Sequence, residues 1–416
     1  MKVLHINQSD LSGGAAIAGY RLHQGLLNQG IDSKLLVGRA QTDDPRVTQV
    51  SRDYRVENLL YKLTHRAGFN YINHISSFSI PKHSCFQAAD ILNFHNLHSS
   101  YFNYLAIPQL TAQKPAVFTL HDMWSFTGHC AYSYDCTKWQ TGCGQCPYPS
   151  TYPVIRRDST RWEWKLKDWV YSRSQLGIVT LSNWLTKQVK ASMLGRFPIH
   201  HIPNGIDIDA YQPLDPELCR AALDIPLTKK VLLFSAANLK DLRKGSDLLI
   251  KALQQLPPTL KQDCLLLTFG QRTANLEAEV DMPAMHLGYI SSDRLKAIAY
   301  SAADLFLFPT RADNLPLVLQ ESMACGTPMV SFRIGGVPDL VRPGITGFLA
   351  PPEDTDQFCR SIVELLADDA TRQQMKKNCR HIALEEYTLE LQAKRYKQLY
   401  QQVLDKQDTC WQSTNY

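Results

Sequence analysis

The sequence predicts an α/β fold of two domains, each built around a parallel sheet. Three observations point there. Short apolar runs such as VLHIN at 3–7, AVFTL at 116–120 and VLLFSA at 231–236 alternate with stretches whose apolar residues recur at helical spacing. Many of these runs end in glycine or small polar turns, the loop chemistry of strand-to-helix connections. A chain of 416 residues is also long for one core, so two domains are expected.

Composition narrows the class. Charged residues at 20% and apolar residues at 44% fit a globular protein, neither disordered nor fibrous. The formal charge of +5 is mild and spread along the chain. It suits a protein that meets phosphates and gives no ground for a nucleic-acid partner. The apolar run after Lys2 is too short for a signal peptide. No run approaches the ~18–20 apolar residues that cross a bilayer. With no export signal, the eleven cysteines suggest reduced thiols and a cytoplasmic location.

Taken in order, 3–7 is the first strand. Ser12-Gly13-Gly14 is a tight turn, and a helix covers 15–27. The turn lacks the GxGxxG dinucleotide fingerprint. It is either a plain strand-to-helix connection or a place where a ligand phosphate approaches a helix N-terminus. A strand follows at 33–38, then irregular helix and loop across 43–84. Two more strands end in polar clusters. DILNF at 90–94 leads into His95, Asn96 and His98, and AVFTL leads into His121, Asp122 and Trp124. Parallel strands end on the same edge, so these side chains are candidates for the lining of one site.

The segment 130–146 carries Cys130, Cys136, Cys143 and Cys146, spaced C-x5-C-x6-C-x2-C. CGQC matches half of a zinc ribbon, and the first pair is looser than that motif. Structural zinc, a redox CxxC and packed reduced thiols all remain open. A four-thiolate site would be coordinatively closed, so such a zinc would hold a loop and do no chemistry. Residues 155–173 combine Arg156, Arg157, Arg161, Lys165, Lys167 and Arg173 with Trp162, Trp164 and Trp169. At helical spacing this is a cationic aromatic face, suited either to an anionic membrane surface or to packing on the domain.

Strands are expected at 177–181, with Ser182 capping the next helix, and at 200–203. Asp207-Ile208-Asp209 reads as turn and cap chemistry. The stretch 211–226 is punctuated by prolines and marks the domain boundary. A second alternation starts at 231–236. Arg243, Lys244 and Gly245 lie in its first strand-to-helix loop, before a helix at 246–256. Arginine's planar fork and lysine's point charge can together hold a diphosphate there. Further strands are 264–269, 285–287 (before Gly288, Tyr289 and Ile290), 305–308 and 329–332. Between and after the last two come Asp313, a helix from about 317 carrying Glu321, and a Gly335–Gly336 loop leading to another helix. A glycine turn at 344–347 follows. From 356 the chain is helical, with a long amphipathic helix at 386–404 and a frayed tail at 405–416.

Asp313-x7-Glu321, then SMACGTPMV, GGVPDLV and GITGFL, resemble the C-terminal domain of retaining GT-B glycosyltransferases of family GT4. NGID at 204–207, RKG at 243–245, the SGGA turn and LHD at 120–122 stand in the matching order, so the resemblance spans the chain. HDMWSFTGHC with the cysteine segment looks like a bacterial exopolysaccharide and lipopolysaccharide subgroup. The resemblance implies two Rossmann-like domains facing across a cleft: 1–210 on the acceptor side, with the insertion 130–146; 211–385 binding the nucleotide sugar; and 386–416 crossing back to the first domain. It implies catalytic roles for His121, Arg243, Lys244 and Asp313. Donor-binding positions would be Gly13, Gly14, Gly288, Tyr289, Ile290, Asn314, Leu315, Glu321, Gly335 and Gly336, with Glu321 on the ribose. His95, Asn96, His98, Asp122 and Trp124 would lie on the acceptor side.

The activity so implied is retaining transfer of a hexose from a nucleoside-diphosphate sugar to a carbohydrate or lipid-linked acceptor, in polysaccharide biosynthesis. No cofactor is needed for the chemistry, and 155–173, if it does not pack on the domain, offers a peripheral contact with the inner face of the cytoplasmic membrane. Three departures stand out. Asp313 replaces the commoner Glu, Asn314-Leu315-Pro316 replaces a glycine-rich turn, and Asn238 stands where many members have a basic residue. With those departures, an enzyme modifying the nucleotide sugar itself, epimerase-like, or a non-catalytic binder are the alternatives.

Overall fold

A computed structural model describes residues 1–238, 241–271 and 279–413; the side chain of Asn238 and residues 414–416 lie outside it. The chain forms two compact units, Met1–Gly205 completed by Glu390–Tyr416, and Ile206–Leu389. The partition falls after Gly205 and after Leu389, against an expected 210 and 385. The proline-punctuated stretch is therefore no linker. Tyr211 is buried within the second unit with its hydroxyl on Asp293, and Asp215 caps a helix at Pro216–Ala222.

The first unit is a parallel sheet of seven described strands: β1 (Lys2–Ser9), β2 (Asp32–Arg39), β3 (Val47–Gln49), β4 (Ile91–Phe94), β5 (Ala116–Leu120), β6 (Gly177–Thr180) and β7 (Ile199–His201). Their order is β3-β2-β1-β4-β5-β6-β7. Alternation along β1 explains its sequence. Leu4 and Ile6 enter one core layer with Phe94, Phe118 and Trp124. Val3 enters the other, with Leu22 and Leu26 of the helix Gly14–Asn28 and with Tyr396, Leu399 and Tyr400 of the last helix. Both faces are thus covered, which is why these strands read as near-continuous apolar runs.

The last helix runs Leu389–Ser413, starting later and continuing further than its sequence suggests. The preceding helix stops at Glu386, and the chain between them is pinned when Leu389 N–H donates to Ile206 O at 3.2 Å.

The second unit repeats the plan with β8 (Lys230–Asn238), β9 (Cys264–Gln271), β10 (Ala284–His286), β11 (Leu305–Phe308), β12 (Met329–Phe332) and β13 (Gly347–Ala350), ordered β10-β9-β8-β11-β12-β13. All described pairings in both sheets are parallel. In each sheet the order reverses beside the first strand, at β1/β4 and at β8/β11. Ligands bind outside the carboxyl ends of strands at such switch points.

Two expectations fail. The loop after Gly336 gives one 3-10 turn, Val337–Asp339, where a helix was read. The glycine turn at 344–347 opens into β13, a strand the sequence did not announce. The segment 43–84, expected as irregular helix and loop, holds a regular helix, Tyr54–Ala67, capped by Asp53, and the short β3.

Candidate active site

In the first unit, the polar groups gather at the ends of β1, β4 and β5. Gly13 caps the helix Gly14–Asn28 with no side-chain bond, and a Cβ at Gly14 would meet nothing within 4 Å, so the loop is open there. Within β1, His5 Nδ1 lies 2.9 Å from His95 Nε2; His95 Nδ1 in turn lies 3.1 Å from His121 Nε2. These three imidazoles form one chain, so fixing the tautomer of one fixes the others. Burial disfavours their charged forms. It pushes His5 down to about 3, helped by nearby His23, and His95 well below its ordinary value. His121 is pushed down to about 4 by burial, which the Asp122 charge only partly offsets.

Asp122 holds the next two residues of interest. Its Oδ2 is 2.8 Å from His98 Nε2, and its Oδ1 accepts from Trp124 N–H at 2.9 Å. Burial would raise this carboxyl, but His98 and the hydrogen bonds outweigh it and hold it below the usual range. His98 Nδ1 also meets the Tyr152 hydroxyl at 3.2 Å. Trp124 is 2% exposed and belongs to the core, so it is a wall of this site and offers no open stacking face. Asn96 N–H donates to Asn7 Oδ1 at 3.3 Å.

The second unit carries the charged cluster at its own switch point. Arg243 and Lys244 follow β8, and Asp313 follows β11. Asp313 Oδ2 accepts from Lys244 Nζ at 2.7 Å and from Arg243 Nη1 at 3.1 Å. Arg243 is further fixed by Ala312 O at 2.9 Å and Asp241 Oδ2 at 3.3 Å. Burial alone would raise Asp313, yet the two cations pull it below the ordinary carboxylate range. Lys244 is lowered, chiefly by burial, with Asp313 acting against that.

Glycine makes the cluster possible. Gly335 has φ 53°, and a Cβ on it would stand 2.0 Å from Asp313 O. Gly336 N–H donates to that same oxygen at 3.1 Å. The loop thus supports Asp313 from behind, and the N–H of Gly336 is committed to it instead of to a ligand. Gly245 (φ 71°) does the same for β11, since its Cβ would collide with Pro309 O at 1.8 Å.

Glu321 is buried on the helix Leu317–Ala324, where the Tyr300 hydroxyl approaches its Oε2 at 3.3 Å. Asn314 N–H donates to Asp313 Oδ1 at 3.2 Å, and Leu315 is buried. Gly288, Tyr289 and Ile290 follow β10; Tyr289 is exposed, and a Cβ on Gly288 would meet nothing within 4 Å. Asp207 accepts from the N–H groups of Asp209 and Ala210, which makes DID a capped turn as read.

Two family models match this chain. "Glycosyltransferase Family 4" covers residues 12–210, and "Glycosyl transferases group 1" covers 217–382. The chain belongs to glycosyltransferase family 4. Among curated relatives, a glycosyl transferase of Escherichia coli K12, WcaC, assigned by its name to colanic acid biosynthesis, is 25% identical over 355 residues. That match covers 80% of this chain and 83% of the relative. Sucrose-phosphate synthase of Thermosynechococcus elongatus superposes with a TM-score of 0.71 at 19% identity, covering 98% of this chain and all of that one. HepE of Anabaena, solved with UDP and glucose, gives 0.70 at 16% identity, covering 97% and 100%. The fold is GT-B, and the protein is a glycosyltransferase.

Sequence reasoning missed two members of this family 4 site. His5 is hidden inside an apolar strand and shows itself only through its contact with His95. Asp10 accepts from Gln41 N–H, Thr42 N–H and the Thr42 hydroxyl, tying the loop after β1 to the loop after β2. Its signal was available: an acid directly after a strand and ahead of a glycine turn.

The four cysteines of the insertion are free thiols, and all of them line a single cavity beside His129 and Trp139. Burial pushes Cys130 up to about 12 and Cys143 up to about 11. The basic helix spans Thr160–Tyr171. Lys167 turns inward to Trp124 O and Thr127 O at 2.6 and 3.0 Å and so leaves the cationic face. Trp162 and Trp169 are 62% and 47% exposed, while Trp164 packs inward with its Nε1 on Trp139 O. Among the described residues, no helix is long and apolar enough to cross a membrane.

Proposed function

We propose that this glycosyltransferase moves a hexose, with retention of configuration, from a nucleoside-diphosphate sugar to a hydroxyl of a carbohydrate or lipid-linked acceptor in polysaccharide assembly. The observation that carries the reading is the Arg243–Lys244–Asp313 cluster at the β8/β11 switch point. Its cations are already held in place by protein groups. Preorganised charge of this kind stabilises a leaving group without reorganisation at the moment of reaction.

In this reading, the bond from the anomeric carbon to the β-phosphate oxygen breaks while the acceptor oxygen adds to the same face. The acceptor proton passes to the departing diphosphate. Arg243 and Lys244 take up the charge that develops there, so Asp313 gives up part of its contact with them and meets the sugar. Glu321 holds the ribose and His121 contacts the transferred sugar. HepE, with UDP and glucose bound, supports a uridine nucleotide as the first donor to try.

A thermal-shift screen of nucleoside diphosphates and their sugars identifies the donor, because a ligand of the native state raises its stability. With that donor, Lys244→Ala is expected to lower kcat/KM by about 10²–10³-fold, the usual loss for one such group. Its melting temperature should move by no more than about 4 °C. Transfer at the wild-type rate by this variant would sink the assignment.

The reading extends to a peripheral contact with an anionic membrane through 155–173. Exposed Trp162 and Trp169, stacked against Lys165 and Arg173, support it. Sedimentation with phosphatidylglycerol vesicles should drop when both tryptophans become alanine. Equal sedimentation of variant and wild type would remove this contact.

A further inference from the structure

The transferase reading leaves the insertion between β5 and the helix Thr160–Tyr171 unexplained. Between Thr127 and Ser159 the only described regular element is one 3-10 turn, Lys138–Gln140. A stretch with so little secondary structure buries little apolar surface of its own and needs another device to hold one conformation. Cys130, Cys136, Cys143 and Cys146 are placed around one small cavity of about 20 Å³, and none is in a disulfide.

Polar groups reach the sulfurs of this cavity. Gly128 N–H points at Cys143 Sγ at 3.2 Å. His129 Nδ1 lies 2.7 Å from Pro153 O, an acceptor only, so that nitrogen carries a proton; its Nε2 lies 3.2 Å from Cys146 Sγ. Buried Lys167, on the carbonyls of Trp124 and Thr127, supplies a nearby positive charge. Positive φ at Gly144 (129°) and Gln145 (49°) bends the chain between Cys143 and Cys146.

We infer that the insertion binds one Zn²⁺ through the thiolates of Cys130, Cys136, Cys143 and Cys146. Binding releases four thiol protons to solvent and leaves a Zn(S⁻)4 centre of net charge −2. Lys167 and the Gly128 amide offset that charge. Among the described residues no three His, Cys, Asp or Glu side chains already meet as ligands. The thiol side chains therefore turn into the cavity on binding, to the ~2.3 Å of a zinc–sulfur bond. With all four positions filled by protein, the ion is a structural pin. It fastens the insertion, through Trp139 O and Trp164 Nε1, to the helix that follows.

The test is metal analysis of the full chain, expressed with added zinc and purified without chelator. About one zinc per chain is expected, the stoichiometry of a closed four-ligand site. Cys143→Ser and Cys146→Ser should lose it, and Cys359→Ser, in the second unit, should keep it. Should the variants fail to fold, the wild type itself is titrated with a mercurial in the presence of a colorimetric zinc chelator, and zinc should leave as these thiols are blocked. Cobalt substitution should give thiolate charge-transfer bands with tetrahedral d–d absorption.

Three outcomes would overturn the inference. One is zinc far below one per chain, with all four thiols freely reactive towards Ellman's reagent. Another is a disulfide among the four in protein from a reducing cytoplasm. The third concerns the ligand set: His129→Ala losing the metal while Cys130→Ser keeps it.

Discussion

Asp313 is held by Lys244 and Arg243 through its side chain and by Gly336 through its carbonyl. Its backbone is thus supported from behind by the Gly335–Gly336 loop. This makes a sharp comparison between two glycines with similar φ. Gly335→Ala puts a methyl against Asp313 O, whereas a Cβ at Gly344 (φ 75°) meets nothing within 4 Å. Backbone strain alone costs about 1–3 kcal/mol at either site. Gly335→Ala should exceed that and displace Asp313, lowering kcat/KM as well as stability; Gly344→Ala should cost strain only. Urea melts and steady-state rates for the two variants decide it, and equal losses would mean Asp313 is not supported as described. Both glycines were visible in the sequence as a loop signal. That Gly335 makes room for Asp313 O was not, because that atom lies in a separate loop, the one after β11.

At the scale of elements, legibility followed burial. The central strands, covered on both faces, announced themselves as apolar runs, and their polar ends pointed to His95, His121, Arg243 and Asp313. Of the edge strands, Ile199–His201 and Ala284–His286 could be read from their short apolar runs, while Val47–Gln49 and Gly347–Ala350 could not. The last helix was legible as amphipathic, but its role in the first sheet is set by two hydroxyls. Tyr400 OH accepts from Asn93 Nδ2 at 2.7 Å, and Tyr396 OH meets Thr119 Oγ1 at 2.9 Å. Both pairs are buried. Tyr400→Phe removes an acceptor and leaves a buried amide donor, a loss of about 1–3 kcal/mol. Chemical denaturation should show it; a change within about 0.5 kcal/mol, the range of surface substitutions, would place the hydroxyl outside the core.

For the molecule as a whole, the buried histidines set its response to acid. His5 and His121 titrate near 3 and 4 in the folded chain, and His23 is pushed to about 4, chiefly by burial. Unfolded, each would titrate near the ordinary ~6.5. Below that value the unfolded chain binds more protons than the folded one, so stability rises with pH through this window. What these imidazoles contribute is complete above about pH 6.5 and is lost as pH falls towards 4, by up to about 1.4 kcal/mol per pH unit for each. Melting temperatures at pH 7, 6 and 5 should fall in that order, and replacing His5 by Leu should flatten the fall. A flat profile in the wild type would mean these rings bind protons in the folded chain as they do in the unfolded one.

The return of the last helix to the first sheet has a consequence for biosynthesis. Val3, Ile91, Val117 and Val179 share a core layer with Ala393, Tyr396, Leu399 and Tyr400, residues made after the whole of the second unit. At ~5–20 residues per second, the intervening unit takes roughly 10–40 s to emerge. Throughout that interval one face of the first sheet has only the helix Gly14–Asn28 for cover, and Asn93 lacks the Tyr400 hydroxyl. The unit encoded second can therefore be complete before the unit encoded first.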